Sequence, residues 1–427
     1  MNWTRRTVCL ATFLVAFVAP AWALDPRDAV GVYLTWHADP STSITINWVD
    51  LYENAGDTVL YRIEKSGDNQ PPWERATGEH GTVADSLLRV HRVRIGGLEP
   101  DRVYQFIIAD QPPERRGPVF RFRTMPAKVS RPIRFVTGGD MMHSREMVDA
   151  MNRIAGNLSP DFAVLGGDLA YANDMLAMPW VDWLQSWTRH ARTRDGLLIP
   201  MIAVIGNHEV SGGGYGQTPQ QARYYYDLFA PPGGRSNFAV DFGEYLSIVA
   251  LDSHHSQPVE GQSAWLRTAL RQRREQKYLF AVYHYPAYGT TKAPKDGLPS
   301  DADVAKRIQA EWVPLFERFG LTAVFENDHH TFKRTHRIRD GKRDDANGIL
   351  YLGDGCWGVA TRPVPEPGSV WYLARAESRH HLWHVTLDGS QAVFEAVDID
   401  GQVFDRATAD RPRTRPVTPG EPVPVGD

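Results

Sequence analysis

The chain has 427 residues, which is more than one small domain needs and corresponds to two or three domains. Apolar residues make up 42% and charged residues 23%, as in ordinary globular proteins. The formal net charge of -4 gives no reason to expect nucleic acid or an anionic membrane as a partner.

Residues 1–23 have the features of an export signal. Arg5 and Arg6 precede the apolar run 8–18, and Ala-Trp-Ala at 21–23 is a small-x-small cleavage site. The apolar run is too short to cross a bilayer, so no stable membrane anchor is expected, although a retained anchor is the alternative. We therefore predict an exported protein, periplasmic or secreted, by either the general or the twin-arginine route.

The segment 26–125 is predicted to be an all-β domain. Residues 43–49, 58–63 and 89–95 alternate between apolar and polar side chains, as strands do. The stretch 97–106 resembles the tyrosine corner of fibronectin type III sandwiches. Since we find no metal-ligand spacing in this segment, we interpret it as a packing or docking domain, with a substrate module as the alternative.

A second domain is predicted at 131–405, after a proline-containing linker. Short apolar runs alternate there with helical stretches, a pattern typical of βαβ architecture. The predicted helices are 145–158, 180–192 and 263–276. The tail 411–427 is rich in proline and polar residues and is predicted to be disordered.

Five apolar runs of strand length in this second domain end in residues that can bind a cation. They are 133–140 with Asp140, 162–168 with Asp168, 199–209 with Asn207 and His208, 279–286 with His284, and 321–330 with Asp328 and His330. A turn explains one polar ending but requires no histidine. Since α/β sheets bind ligands at the carboxyl ends of their strands, we expect these residues to converge.

The motif set resembles that of the calcineurin-like metallophosphoesterases. It comprises Gly-Asp at 139–140, Gly-Asp-x-x-Tyr at 167–171, Gly-Asn-His-Glu at 206–209, His284, and the string 327–336. The tyrosine narrows the resemblance to the purple acid phosphatase branch, which carries a fibronectin-like amino-terminal domain. The resemblance implies an α/β fold, the metallophosphoesterase αββα sandwich, preceded by an all-β fibronectin type III-like sandwich.

The resemblance also implies two metal ions that share the carboxylate of Asp168. Asp140, Asp168, Tyr171 and His330 would hold the first, which is Fe³⁺ in the family. Asp168, Asn207, His284 and Asp328 would hold the second, which is divalent Fe, Zn or Mn. A phenolate and carboxylates are hard donors, which suits a trivalent ion.

His208 is the catalytic residue that the resemblance implies, because the family histidine at this position lies beside the phosphoryl group. It would stabilise the transferring charge or help to protonate the leaving oxygen. Glu209 would orient His208, with a helix-capping role as the alternative.

Three departures from the family pattern leave alternatives open. Asp328 stands where the last histidine ligand of the second metal belongs, and His329 could turn inward instead. His143 could reach the phosphate or could be an exposed residue at a helix start. The segment 288–301 contains no histidine pair to act as leaving-group acid, so His254 and its neighbour could take over, with a solvated loop as the alternative.

We therefore predict a dinuclear phosphohydrolase, a purple acid phosphatase-like phosphomonoesterase that attacks a small phosphate ester with a metal-activated hydroxide. One alternative is a phosphodiesterase or nucleotide pyrophosphatase on the same fold. The other is a metal-binding or adhesive protein without catalysis. The oligomeric state is left open.

Overall fold

The protein is described by a computed structural model that covers residues 29–51, 56–109, 117–290 and 301–410. The predicted export signal and the predicted tail lie outside the described residues. Within the described ranges, no helix has the length and apolar character needed to cross a membrane.

The amino-terminal part is a sandwich of two antiparallel four-stranded sheets. Its strands are β1 (Gly31–Thr35), β2 (Ile44–Asp50), β3 (Thr58–Ile63), β4 (Glu74–Thr77), β5 (Glu79–Thr82), β6 (Arg89–Ile95), β7 (Val103–Ile108) and β8 (Phe120–Arg123). The sheet orders are β1-β2-β6-β5 and β4-β3-β7-β8. The predicted tyrosine corner is present, because the Tyr104 hydroxyl accepts a hydrogen bond from the Glu99 N–H at 2.9 Å.

The second part contains two mixed sheets that pack face to face. The first sheet is built from β9 (Ile133–Gly138), β10 (Phe162–Leu165), β11 (Met201–Ala203), β21 (His381–Leu387), β22 (Ala392–Asp398) and β23 (Val403–Ala409). The second is built from β12 (Phe238–Phe242), β13 (Leu246–Ala250), β14 (Tyr278–Val282), β15 (Ala323–Glu326), β16 (Phe332–Thr335), β19 (Leu350–Gly353) and β20 (Leu373–Glu377). The first sheet has the order β11-β10-β9-β21-β22-β23 and the second has the order β12-β13-β14-β15-β19-β16-β20. A hairpin of β17 (Ile338–Arg339) and β18 (Lys342–Arg343) stands apart.

Aromatic side chains fill the space between these two sheets. The Phe135 ring of β9 lies 5.7 Å from Phe280 of β14 and 6.0 Å from Phe325 of β15. The central strands are buried on both faces, which explains why their sequences are continuous apolar runs without alternation.

Helices cover the outer faces and complete an αββα arrangement. They are α1 (Arg145–Asn157), α2 (Met178–His190), α3 (Arg223–Phe229), α4 (Val259–Gln272), α5 (Asp301–Glu311) and α6 (Val313–Phe319). Helices α1 and α2 pack on the first sheet through Met151 and Trp183, and α4 and α6 pack on the second through Leu266 and Phe316. The predicted α/β fold with a preceding all-β sandwich is therefore confirmed.

The sandwich is joined to the second part through α2 and neighbouring loops. The Val32 N–H donates to Thr188 Oγ1 at 2.9 Å, and Leu198 N–H donates to the Arg121 carbonyl at 2.8 Å. The Tyr245 hydroxyl donates to the Pro126 carbonyl at 3.0 Å. These contacts agree with a packing role for the sandwich.

Candidate metal centre

The ends of five strands, from both inner sheets, meet at one edge of the αββα sandwich. Strands β9 and β10 are parallel neighbours, and backbone N–H groups of residues 140 and 141 donate to carbonyls of residues 167 and 168. Asp140 and Asp168 follow strands of the first inner sheet, and His284 follows a strand of the second. Each of the three has a donor atom within 4.8 Å of the others. The convergence that the sequence predicts is present in the geometry.

One group of donor atoms comes from Asp140, Tyr171 and His330. The Tyr171 hydroxyl lies 3.2 Å from Asp140 Oδ1 and 3.1 Å from His330 Nε2, and His330 Nε2 lies 3.1 Å from Asp140 Oδ1. The other carboxylate oxygen, Asp140 Oδ2, accepts the Asp328 N–H at 3.0 Å. This bond directs Oδ1 toward the phenol and the imidazole.

A second group comes from Asp168, Asn207, His284 and Asp328. His284 Nε2 lies 3.3 Å from Asp168 Oδ2, 3.7 Å from Asp328 Oδ1 and 3.0 Å from Asn207 Oδ1. The same amide atom of Asn207 lies 3.3 Å from Asp168 Oδ2 and 3.2 Å from Asp328 Oδ1. In a tetrahedral site with metal–ligand distances of about 2.0–2.2 Å, ligand atoms are about 3.3–3.6 Å apart, so these separations fit one cation.

The orientation of the Asn207 amide depends on what it faces. With nitrogen inward, it would donate to the three surrounding acceptors. With oxygen inward, four acceptor atoms face one point, which only a cation can satisfy. The tautomer of His284 is the same in either orientation, because its Nδ1 donates to the Gly166 carbonyl at 2.9 Å and leaves the Nε2 lone pair free to accept the Asn207 N–H or to bind a metal.

The charge of the centre also calls for cations. The carboxylates of Asp140, Asp168 and Asp328 are buried, and buried anions need compensating positive charge. Burial and these carboxylates raise the pKa of Tyr171 well above its ordinary value, so a phenolate requires a nearby cation. Burial would lower the pKa of His284, but the surrounding carboxylates raise it to about 10. A proton or a metal must therefore occupy the space between these groups.

Unusual backbone conformations accompany these side chains. The φ angles of Asp140, Asp168, Tyr171, Asp328 and His330 are 57°, 54°, 55°, 79° and 56°. Such left-handed conformations are uncommon for residues other than glycine, and rarest for bulky ones. Strain of this kind is typical of functional sites, where the surrounding structure fixes it.

Glu209 holds the backbone beneath the centre rather than the ring of His208. Its carboxylate accepts N–H groups of Asp168 at 2.7 Å, Leu169 at 2.8 Å and Gly206 at 2.7 Å. The bond to Gly206 caps the short helix Asn207–Glu209, as in the capping alternative. Burial and the neighbouring Asp168 raise the pKa of Glu209 to about 8.

His208 is instead positioned by Asn173. Its Nδ1 lies 2.5 Å from Asn173 Oδ1, which can only accept, so Nδ1 carries the proton. Its Nε2 lies 3.8 Å from Asp168 Oδ2, and its ring lies 4.3 Å from the Tyr171 ring. The side chain is 30% exposed, so His208 borders the centre and faces solvent. Asn173 lies two residues after the Gly-Asp-x-x-Tyr motif, but this position alone did not identify it as a partner of His208.

Asp328, and not His329, supplies the donor atom in the second group. His329 is buried behind it, with Nδ1 3.3 Å from Asp354 Oδ2 and Nε2 3.7 Å from Asp328 Oδ2. His329 therefore lies between two carboxylates and supports the orientation of Asp328. Asn327 packs closely against Gly166, where an added Cβ would lie 2.0 Å from the Asn327 side chain.

The two histidines predicted to contact substrate differ in position. The His143 ring lies 4.6 Å from Tyr171 and 5.5 Å from His330, and its Nδ1 accepts the Ala360 N–H at 3.2 Å. Its Nε2 is therefore a donor at the edge of the centre. His254 contacts Tyr215 at 5.7 Å. Its neighbour His255 is the one whose ring packs on His284, at 5.5 Å.

Arg362 is a residue of the site that the sequence did not indicate. Its Nη2 lies 3.5 Å from His330 Nε2, and its Nη1 donates to the Asp328 carbonyl at 3.3 Å. The arginine lies in an irregular loop far along the chain from the motifs. A single arginine in a loop gives no local sequence signal.

Comparison with known families agrees with this architecture. The purple acid phosphatase N-terminal domain matches residues 29–124, and the calcineurin-like phosphoesterase domain matches residues 136–331. Purple acid phosphatase 15 of Arabidopsis thaliana is 26% identical over 295 residues, covering 62% of this chain and 53% of that protein. Purple acid phosphatase 18 of the same plant is 25% identical over 312 residues, covering 69% and 64%. The chain thus spans less than two thirds of the length of these relatives.

Solved structures share the fold at low sequence identity. The purple acid phosphatase PPD1 from yellow lupin seeds superposes with a TM-score of 0.69 at 16% identity, covering 89% of this chain and 74% of that one. PhoD superposes with a TM-score of 0.64 at 12% identity, covering 90% and 88%. The fold and the strand-end centre are those of a calcineurin-like phosphoesterase. Because both domain families match in order, the chain belongs to the purple acid phosphatase-like branch of that family.

Proposed function

We propose that this protein is an exported, metal-dependent phosphomonoesterase with a dinuclear centre of Fe³⁺ and a divalent Fe, Zn or Mn ion. The observation that carries the proposal is the position of the Asp168 carboxylate among two groups of donor atoms at the meeting point of both inner sheets. The proposed substrate is a small phosphate ester. Export rests on the signal-like residues 1–23.

The donor sets support different places for the two proposed ions. Asp140, Tyr171 and His330, with Asp168, form the harder set, which suits the trivalent ion. Asn207, His284 and Asp328, with Asp168, form the set for the divalent ion. When bound, such a pair activates water for attack on phosphorus and neutralises the charge that develops there.

Residues around the centre would bind and orient the phosphoryl group. His208 Nε2 faces the centre from the solvent side, where it can donate to a phosphoryl or leaving-group oxygen once protonated. Arg362 approaches from the side of His330 with a guanidinium that can hold two phosphate oxygens at once. His143 Nε2 is a further donor at the same rim and would contact a phosphoryl oxygen.

The test is hydrolysis of p-nitrophenyl phosphate and bis-p-nitrophenyl phosphate by purified protein. We expect faster turnover of the monoester, loss of activity after chelation, and recovery with iron, zinc or manganese. Faster turnover of the diester would replace the monoesterase assignment with a phosphodiesterase. Inactivity on both, with two metals bound per chain, would contradict an enzymatic function.

A further inference from the structure

A second group of metal-binding residue types lies in the amino-terminal sandwich. Asp57 stands just before β3, His80 lies in β5 and His91 lies in β6. His80 and His91 are direct cross-strand partners, so their side chains emerge on the same face. His80 Nδ1 lies 3.0 and 2.9 Å from the two oxygens of Asp57, and His91 Nδ1 lies 2.7 Å from Asp57 Oδ1.

The His91 ring is fixed in place. It stacks on Trp48 with centroids 4.8 Å apart and planes 4° apart, and it is fully buried. Its outer nitrogen, Nε2, lies 3.0 Å from Asp50 Oδ2. This is an ion-pair contact that does not meet hydrogen-bond geometry, and it places a carboxylate beside the outer nitrogen, as is usual for a metal-binding histidine.

We propose that Asp57, His80 and His91 form a binding site for one Zn²⁺-type divalent ion, with Asp50 as the outer carboxylate. Their donor atoms lie within 4.8 Å of one another, and the separations of 2.7–3.0 Å between Asp57 and the two imidazoles would have to widen to about 3.3 Å around a tetrahedral ion. Two imidazole nitrogens and a carboxylate suit zinc or copper better than Mg²⁺ or Ca²⁺, which prefer oxygen ligands. A fourth position stays open to water on the side where His80 is 36% exposed.

The ion would act as a clamp between the two sheets of the sandwich. His80 and His91 belong to the sheet β1-β2-β6-β5, whereas Asp57 leads into β3 of the facing sheet. The site lies apart from the catalytic residues proposed above, so its role would be stability rather than turnover. The sequence did not reveal it because the three ligands are far apart along the chain and form no short-spacing motif.

Protons are the competing occupants of this group. Hydrogen bonds from the Nδ1–H groups of His80 and His91 to Asp57 would account for the same short distances. Zinc would have to displace these protons, so its binding should tighten as pH rises. If Asp57, His80 and His91 hold only protons, substituting them should change neither the zinc content nor the effect of zinc on the melting temperature, and this distinguishes the two interpretations.

The experiment measures zinc per chain in tag-free, full-length protein that is stripped with chelator and dialysed against Zn²⁺. The wild type is compared with His80→Ala and Asp57→Asn, and with His336→Ala as a control remote from this group. We expect one zinc fewer per chain in both site variants, no change in the control, and an unchanged phosphatase rate in His80→Ala. Zinc should also raise the melting temperature of the wild type more than that of His80→Ala.

Equal zinc content in wild type and both site variants would overturn the proposal, as would an equal thermal response. Since the result is a difference between variants, it does not depend on how many ions the strand-end centre holds. The difference in zinc content could therefore still be interpreted if the phosphatase assay showed no activity. Because the His80 side chain is partly exposed, its removal should leave the fold intact, and Asp57→Asn provides a second, independent substitution.

Discussion

The carboxylate of Asp328 lies 3.7 Å from His284 Nε2, where relatives of this chain are expected to present a second imidazole. An aspartate at this point adds a negative charge to a centre that already contains the buried carboxylates of Asp140 and Asp168. Harder ions gain most from such a ligand set. We therefore expect the substitution to shift metal preference rather than to remove the site.

Replacing Asp328 should weaken the divalent position selectively. Asp328→Ala removes a ligand, and we expect metal affinity to fall by more than the roughly 10–100-fold that outer-sphere changes cause. Asp328→His should restore binding and shift preference from manganese toward zinc. Metal analysis after dialysis checks both, with the exposed Asp345→Ala as control. Unchanged metal content and rate in Asp328→Ala would remove Asp328 from the centre.

The Tyr171 phenol should give the oxidised protein a visible absorption band, if the trivalent ion is ferric iron. The phenol contacts Asp140 and His330, the other donors of that group. Tyr171→Phe should abolish the band while leaving the fold unchanged, whereas Tyr61→Phe, in the sandwich, should keep it. Absorption spectra with iron analysis measure this. A colourless wild type with full iron occupancy would contradict the assignment.

Strand-end chemistry was the part of the site that the sequence could predict. A polar residue after a buried apolar run must lie at the carboxyl end of a strand, and parallel strands bring such ends together. Asp140, Asp168, Asn207 and His284 obey this rule, and their convergence followed from it. Helix α1 was predicted closely, since it occupies 145–157 against a predicted 145–158, whereas α2 and α4 begin two and four residues before their predicted starts and α3, α5 and α6 were not predicted.

The supporting contacts were beyond such reasoning, because they join residues that are distant in sequence. Glu209 bonds the backbone of Asp168 across 41 positions, and Arg362 approaches His330 across 32. Such contacts depend on the course of the loops, and loops have no periodic sequence pattern from which their course could be predicted. The group of Asp57, His80 and His91 escaped notice for the same reason, although cross-strand pairing of His80 with His91 is simple once the register is known.

Glu209→Gln should destabilise the fold around the centre. The carboxylate accepts three backbone N–H groups with two oxygens, whereas a glutamine has one oxygen and must turn its NH₂ toward at least one of these donors. A buried unsatisfied donor costs about 1–3 kcal/mol, so we expect a loss of this size in the free energy of unfolding. Urea denaturation above pH 8, where the Glu209 carboxyl is ionised, measures it.

The matched control for Glu209 is Glu317→Gln. Glu317 accepts a single backbone N–H, from Asp340 at 2.9 Å, and a glutamine oxygen can still accept it. We expect this variant to unfold within about 0.5 kcal/mol of the wild type, as ordinary surface changes do. If both variants lost the same free energy, the three-donor role of Glu209 would be refuted.

Arg362→Ala should weaken phosphate binding without emptying the centre. Charged hydrogen bonds contribute about 1.5–3 kcal/mol, which corresponds to a roughly 10–150-fold loss of kcat/KM and weaker inhibition by inorganic phosphate. Arg362→Lys should recover part of the loss, because it keeps the charge but not the two-pronged geometry. Metal content is the deciding control, because Arg362 also donates to the Asp328 carbonyl. A purely positioning role would therefore lower metal occupancy together with the rate.

An unchanged kcat/KM and unchanged phosphate inhibition in Arg362→Ala would exclude contact with the substrate. The exposed Arg343→Ala is the control variant, and it should leave kcat/KM, phosphate inhibition and metal content as in the wild type.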